Sequence, residues 1–209
     1  MTSARVLAAA LATAAVGLAQ GRGGLSSDHQ AELAKIQPAI NQAIDDGVRW
    51  LLGSQQRDGS WSFEEEVFAT GQTALSTYTL LKCGIPREHA AIQRAIAHFT
   101  TIRPTMVYAA GAQVLALTAT HDKSYHGRVR EIVDDIAGWQ EDSWSYPNPG
   151  GKIQRLHSSR DLSITQFALL AYRAAAAEGL PIATRSLRDA FDGTLRFQDS
   201  GSSAGFSYR

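Results

Sequence analysis

The sequence has one cysteine, Cys83, in 209 residues, which excludes an intramolecular disulfide framework. Net charge is also absent, because 20 Lys and Arg balance 20 Asp and Glu. No general electrostatic term is available to hold a phosphate backbone, so nucleic acid is not an expected partner. After the first twenty residues no apolar run is long enough to span a bilayer. Strand-like alternation of apolar and polar residues is nowhere sustained, which leaves little room for a sheet. What is present is a 44% hydrophobic composition with four Trp, enough to bury a sizeable core in one domain or two small ones.

Met1 to Gln20 carries a lone charge at Arg5, an apolar run from Val6 to Leu18, and small residues at Gly17 and Ala19. That order is a secretory signal peptide: the run is too short to cross a roughly 30 Å hydrocarbon layer, and Gly17-Leu18-Ala19 suits a signal peptidase. The expectation is export to a periplasmic or extracellular space. Residues 21–27 read as a flexible leader, and residues 28–209 as the folded unit.

From Asp28 onward helical periodicity dominates. Ile36, Ile40, Ile44, Val48, Leu51 and Leu52 form one apolar face that ends near Gln55. Six further helices are expected over Thr70–Lys82, Arg87–Thr100, Met106–Thr118, Lys123–Trp139, Leu162–Glu178 and Thr184–Gln198. The fold class is therefore all-α.

The helices repeat. Gly71-Gln72-Thr73-Ala74-Leu75, ending in Gly84-Ile85-Pro86, matches Thr165-Gln166-Phe167-Ala168-Leu169, ending in Gly179-Leu180-Pro181. A weaker copy, Gly111-Ala112-Gln113-Val114-Leu115, lies between them, so Gln recurs at 72, 113 and 166. The loops repeat as well. Gln56-Arg57-Asp58-Gly59-Ser60-Trp61 follows one helix, Gln140-Glu141-Asp142-Ser143-Trp144 another, and Gln198 with Gly205-Phe206 the last. Such a period predicts stacked helical hairpins, each unable to bury its apolar face without the next. Alanine-rich helices such as 168–177 suit an inner position, and Ile- and Phe-striped helices such as 92–99 an outer one. In each loop Gln bonds free backbone groups at a helix end, Gly permits the turn, and the aromatic covers the junction.

At these residues the chain resembles the prenyltransferase and squalene-oxidase repeat family, whose members fold as α/α toroids. Gln56-x-Asp58-Gly59-x-Trp61 is similar to the Gln-to-Trp motif of squalene and hopene cyclases, with Trp50-Leu51-Leu52 as the run-in. Asp161-Leu162-Ser163-Ile164-Thr165-Gln166 followed by Gly179-Leu180-Pro181 is similar to exported bacterial repeat proteins of this group. The resemblance covers about Asn41 to Tyr208. It implies a toroid, and it implies the residues that family chemistry would need. A terpene cyclase supplies a strong acid from an Asp-x-Asp-Asp motif, whereas here Asp45-Asp46 and Asp134-Asp135 are bare pairs on amphipathic helices. A protein prenyltransferase holds zinc through Asp-x-Cys and a later His, whereas Asp161-Leu162-Ser163 has Ser in the Cys place. The thioester motif of further relatives is missing, and Cys83 reads as a small buried residue.

The remaining polar candidates are few. His157 and Asp161 are four apart and could share a face, although Asp161 before Leu162 is also an N-cap. Asp142 is a second carboxylate candidate. His121, Asp122 and His126 lack a third metal ligand at recognisable spacing, so no metal and no cofactor is called for. Seven helices make three and a half hairpins, fewer than a closed toroid of this family. This predicts an open arc, or a piece of a longer chain, whose apolar edge needs a partner or a second copy. Two functions follow as expectations: an exported repeat protein that binds a hydrophobic ligand or protein partner, or an enzyme acting on an isoprenoid or other hydrophobic substrate.

Overall fold

The structure, a computed structural model, describes residues 27–61, 70–145, 161–201 and 205–207. The expected signal peptide, nearly all of the leader, and His157 lie outside these residues. Among them are seven α-helices and no strand, so the protein is all-α. The helices are α1 (Ser27–Ser54), α2 (Gly71–Lys82), α3 (Ala90–Thr100), α4 (Val107–Ala119), α5 (His126–Gly138), α6 (Leu162–Ala177) and α7 (Thr184–Leu195). A 3₁₀ turn, Lys123–Tyr125, leads into α5.

Two helices close in the same way, and the sequence repeat explains why. After α2, Gly84 takes a left-handed φ of 86° while its N–H bonds Leu81 O and that of Ile85 bonds Leu80 O, both at 3.0 Å. After α6, Gly179 has φ 78°, and the N–H groups of Gly179 and Leu180 bond Ala176 O and Ala175 O, again at 3.0 Å. Both ends are Schellman motifs, which need a residue without a Cβ at that φ and an apolar residue directly after it. The Gly-Ile-Pro and Gly-Leu-Pro triplets supply both.

Packing follows an alternation. Helix α4 lies between α2 and α6, while α3 packs on α2, α5 on both α4 and α6, and α7 on α6. The central position of α4 is readable in its side chains. Eleven of its thirteen residues are buried, and they cover the whole circumference. Small residues make this possible: a Cβ on Gly111 would lie 2.8 Å from Phe167 O of α6. Helix α3 instead buries a single stripe, with Ala91, Ile92, Ala95, Ile96 and Phe99 inside.

The long helix α1 departs from expectation. Its last turns pack on the core through Val48, Leu51 and Leu52. Ile36, Ile40 and Ile44, expected to share one apolar face with Val48, Leu51 and Leu52, are exposed, as is Leu33. The reason is length: α1 has 28 residues and its neighbour α2 has 12, so the N-terminal part of α1 runs past the helix that covers its end.

Candidate functional site

Two junctions between outer and inner helices share one set of bonds. In the first, the Trp61 indole N–H donates to Leu51 O in the last turn of α1 (2.7 Å), and the Trp61 backbone N–H donates to Thr73 Oγ1 on α2 (3.1 Å). In the second, the Trp144 indole N–H donates to Ile136 O in the last turn of α5 (2.9 Å), and its backbone N–H donates to Thr165 Oγ1 on α6 (3.3 Å). Each indole thus satisfies a carbonyl at a helix C-terminus, where intrahelical partners run out. Trp61 is 6% exposed and Trp144 2%.

The glutamines that complete these junctions are Gln55 and Gln140. Gln55 Nε2 donates to Ala91 O of α3 (2.8 Å) and to Gly59 O (3.0 Å), and Gln140 Nε2 donates to Ser186 O of α7 (2.8 Å). The Gln56 backbone closes the turn, its N–H bonding Ser60 O and its carbonyl taking the Gly59 N–H. The repeat motif assigned this role to Gln56, whereas the side chain that reaches α3 is that of Gln55. Gly59, at φ 92°, brings the loop so close that a Cβ would sit 2.4 Å from Arg94 O. At the second junction the glycine is on the helix, where a Cβ on Gly193 would meet Asp142 O at 2.1 Å.

The third loop copy differs. Gln198 and Phe206 pair as an isolated antiparallel bridge, and Phe206 is 51% exposed. The buried aromatic there is Phe197, whose carbonyl accepts the Ser207 N–H at 2.7 Å.

The candidate carboxylates are occupied by structure. Asp58 Oδ1 accepts the Ser60 N–H (3.0 Å) and Ser60 hydroxyl (2.7 Å), and these bonds hold its carboxyl below the usual range. Its other oxygen faces His98 Nδ1 at 3.7 Å. Asp142 is ion-paired with Arg196, the same arrangement of a loop acid against the following outer helix. Asp161 is the N-cap of α6: Oδ1 accepts the Ile164 N–H (3.1 Å) and the Ser163 hydroxyl (2.5 Å). Ser163, the residue in the zinc-cysteine place, therefore serves the cap. Asp161 Oδ2 is buried, with no hydrogen-bond partner among the described residues. Cys83 caps the end of α2, where burial and, secondarily, the charge of Asp45 raise its thiol pKa and disfavour the thiolate.

Some polar groupings were not foreseen from the chain order. Glu178, at the end of α6, takes His121 Nδ1 at 2.7 Å and lies 3.6 Å from His126 Nε2. The third partner that the His121–His126 loop lacked in sequence is thus 52 residues or more downstream. Even so, among the described residues no group of three or more His, Cys, Asp or Glu is placed to hold a metal ion. The second grouping centres on Gln113, fully buried on α4. Its Nε2 donates to Thr70 Oγ1 (2.8 Å) and Phe99 O (3.2 Å), bracing Thr70 at a left-handed φ of 77° that a β-branched residue rarely adopts. The other repeat glutamines do not share this role. Gln72 is half-buried and Gln166 is exposed.

An open groove of about 380 Å³ lies along α6 and reaches α7, walled by Leu162, Thr165, Gln166, Leu169, Leu170, Arg173 and Thr194. It is largely apolar and adjoins the capped end of α6. Beside it α7 exposes Leu187, Phe191 and Leu195, the second of them 63% exposed. Comparison with protein-family models, with curated proteins and with solved structures found no match for this chain.

Proposed function

We propose that this chain is a squalene-cyclase- and prenyltransferase-like repeat protein of α/α-toroid type, exported after loss of its first residues, that binds a hydrophobic ligand or protein partner. It does not catalyse the reactions of those relatives. The observation that carries the reading is the division of labour on the surface. Asp58 is tied into a turn, Asp142 into an ion pair and Asp161 into a helix cap, while the open groove on α6 is largely apolar. The alternating order of outer and inner helices, and the paired Trp junctions, support the repeat-family part of the proposal.

The second reading, an enzyme acting on an isoprenoid or related hydrophobic substrate, has one observation in its favour. Asp161 keeps a buried oxygen, with no hydrogen-bond partner among the described residues, next to Leu162, which walls the groove. One experiment separates the two. The protein is incubated with squalene and with farnesyl diphosphate, products are sought by mass spectrometry, and binding of farnesol is followed by tryptophan fluorescence. The binding reading expects saturable binding weakened by Leu169→Asp and no product. Turnover that disappears in Asp161→Asn, which keeps the cap but loses the acid, would establish the enzyme.

A further inference from the structure

The proposal above leaves the partner unnamed, and two apolar surfaces at opposite ends of the helix order suggest one. The first is the overhang of α1. Leu33, Ile36, Ile40 and Ile44 follow one another three or four residues apart, which sets them on one face of the helix. That row runs on toward Val48 and Leu51, which do pack on the core. An amphipathic helix thus buries one end of its stripe and leaves the rest uncovered.

The second surface is the α6–α7 edge. Helix α7 has two apolar faces. Ala190 and Gly193 are buried, whereas Leu187, Phe191 and Leu195, four apart, face outward. The groove on α6 runs beside it, bounded on the α7 side by Thr194. A groove along α6 whose exposed surface is largely apolar, with Leu162, Leu169 and Leu170 in its wall, is a surface on which a further helix can pack.

Charge decides which helix. Over Ser27–Ser54 four acids, Asp28, Glu32, Asp45 and Asp46, stand against Lys35 and Arg49. On the α6–α7 edge Glu178 is taken up by His121 and His126 and Arg185 by Asp189, which leaves Arg173 and Arg188 against Asp192. Among the described residues Arg173 and Arg188 are exposed and Arg185 alone of the three has an ion-pair partner, Asp189. Pairing α1 with another α1 would bring like net charge together. Pairing α1 with the α6–α7 edge brings opposite charge together.

We infer that the partner is a second copy of this chain, whose α1 overhang docks into the α6–α7 groove of the first. This rests on the binding reading and specifies it. The contact is heterologous, so copies add head to tail and form a ring or an open chain according to the angle. Leu33, Ile36, Ile40 and Ile44 supply the apolar seam, and the acidic balance of α1 meets Arg173 in the groove wall.

The test uses the full chain and two double variants, Ile36→Asp with Ile40→Asp on α1, and Leu187→Asp with Phe191→Asp on α7. Helicity and thermal melting check that each still folds, which is expected because all four side chains are exposed. Light scattering should give the parent chain a mass at least twice 22.5 kDa, rising with concentration, and each variant the mass of a monomer. Mixed, the variants should form a one-to-one pair, since each retains the surface the other has lost. A parent chain that stays monomeric at all concentrations would overturn the inference, as would an α7 variant that self-associates or a mixture without pairs. If the parent is monomeric while farnesol still binds and Leu169→Asp weakens it, the copy-docking inference falls and the binding reading stands.

Discussion

Helices α1 and α4 are both rich in aliphatic side chains, and the protein treats them in opposite ways. Helix α4 has Ala109, Ala110, Gly111, Ala112 and Ala116 distributed around its axis, so neighbouring helices approach from several sides and all but two of its residues are buried. Helix α1 gathers larger residues, Leu33, Ile36, Ile40 and Ile44, on one side and polar residues elsewhere. It can accept one neighbour along that side, and over most of its length it has none. Apolar spacing shows which face of a helix seeks a partner. Side-chain size shows how many neighbours the helix can take, and the second property separates a central helix from a peripheral one.

Tryptophan deletions sharpen this contrast most. Trp144→Ala removes a fully buried ring packed edge-on against Tyr172, centroids 5.8 Å apart, and should cost about 4 kcal/mol in urea denaturation. Trp50→Ala on α1, where the ring is exposed, should change stability by less than about 0.5 kcal/mol. Comparable losses at both positions would mean that α1 is packed as α4 and α6 are.

A pair of glycines gives the next largest difference, with opposite signs. Gly111→Val forces a branched side chain against the α6 backbone and should destabilise by about 3 kcal/mol. Gly47→Ala in α1 meets open space within a helix and should stabilise by about 0.5–1 kcal/mol. Thermal or chemical melting reads both, and a destabilising Gly47→Ala would break the comparison.

At α6, the cap is a smaller term. Asp161→Ala should lose about 1 kcal/mol while Asp161→Asn loses little, because Asn keeps the acceptor for the Ile164 N–H. An equal loss in both would show that the charge, and not the cap, holds Asp161 in place.

The smallest effect is at alkaline pH. Burial pushes the Tyr172 hydroxyl up to about 12, partly offset by Ser186, against an ordinary 10.0. The folded state therefore favours the neutral phenol. That stability is fully present below pH 10 and is lost as the pH rises from 10 toward 12, where only the unfolded chain ionises freely. A melting series over that range should slope downward, and Tyr172→Phe should flatten it.

Much of this architecture is local and was therefore legible in the chain. Six-residue signals such as Leu80 to Ile85 contain the whole Schellman closure, and the expected ends of α2, α3, α4 and α6 fall within three residues of the observed ones. Relations across distance were less legible. The Gln72, Gln113 and Gln166 register looked like one repeated role, but only Gln113 is buried, because burial depends on helices on both sides. Glu178 meets His121 through the packing of α6 beside the loop before α5, which no spacing could disclose. The Trp61 and Trp144 junctions were visible as motifs, yet nothing in the repeated segments marked Thr73 and Thr165 as the acceptors of the Trp backbone N–H groups. Asp142 and Asp161 stood as candidate acids, Asp161 also as an N-cap, until their bonding partners were in place.

Hydrogen exchange read residue by residue tests the central contrast between α4 and α1 most directly. In the monomeric variant carrying Ile36→Asp and Ile40→Asp, α4 amides should exchange only through global unfolding, whereas amides of residues 30–47 should exchange far faster. In the parent chain at concentrations where it associates, residues 30–47 should slow markedly and α4 should not change. Equal protection of α1 and α4 in the dilute monomer, or an α1 whose exchange ignores concentration, would contradict the account.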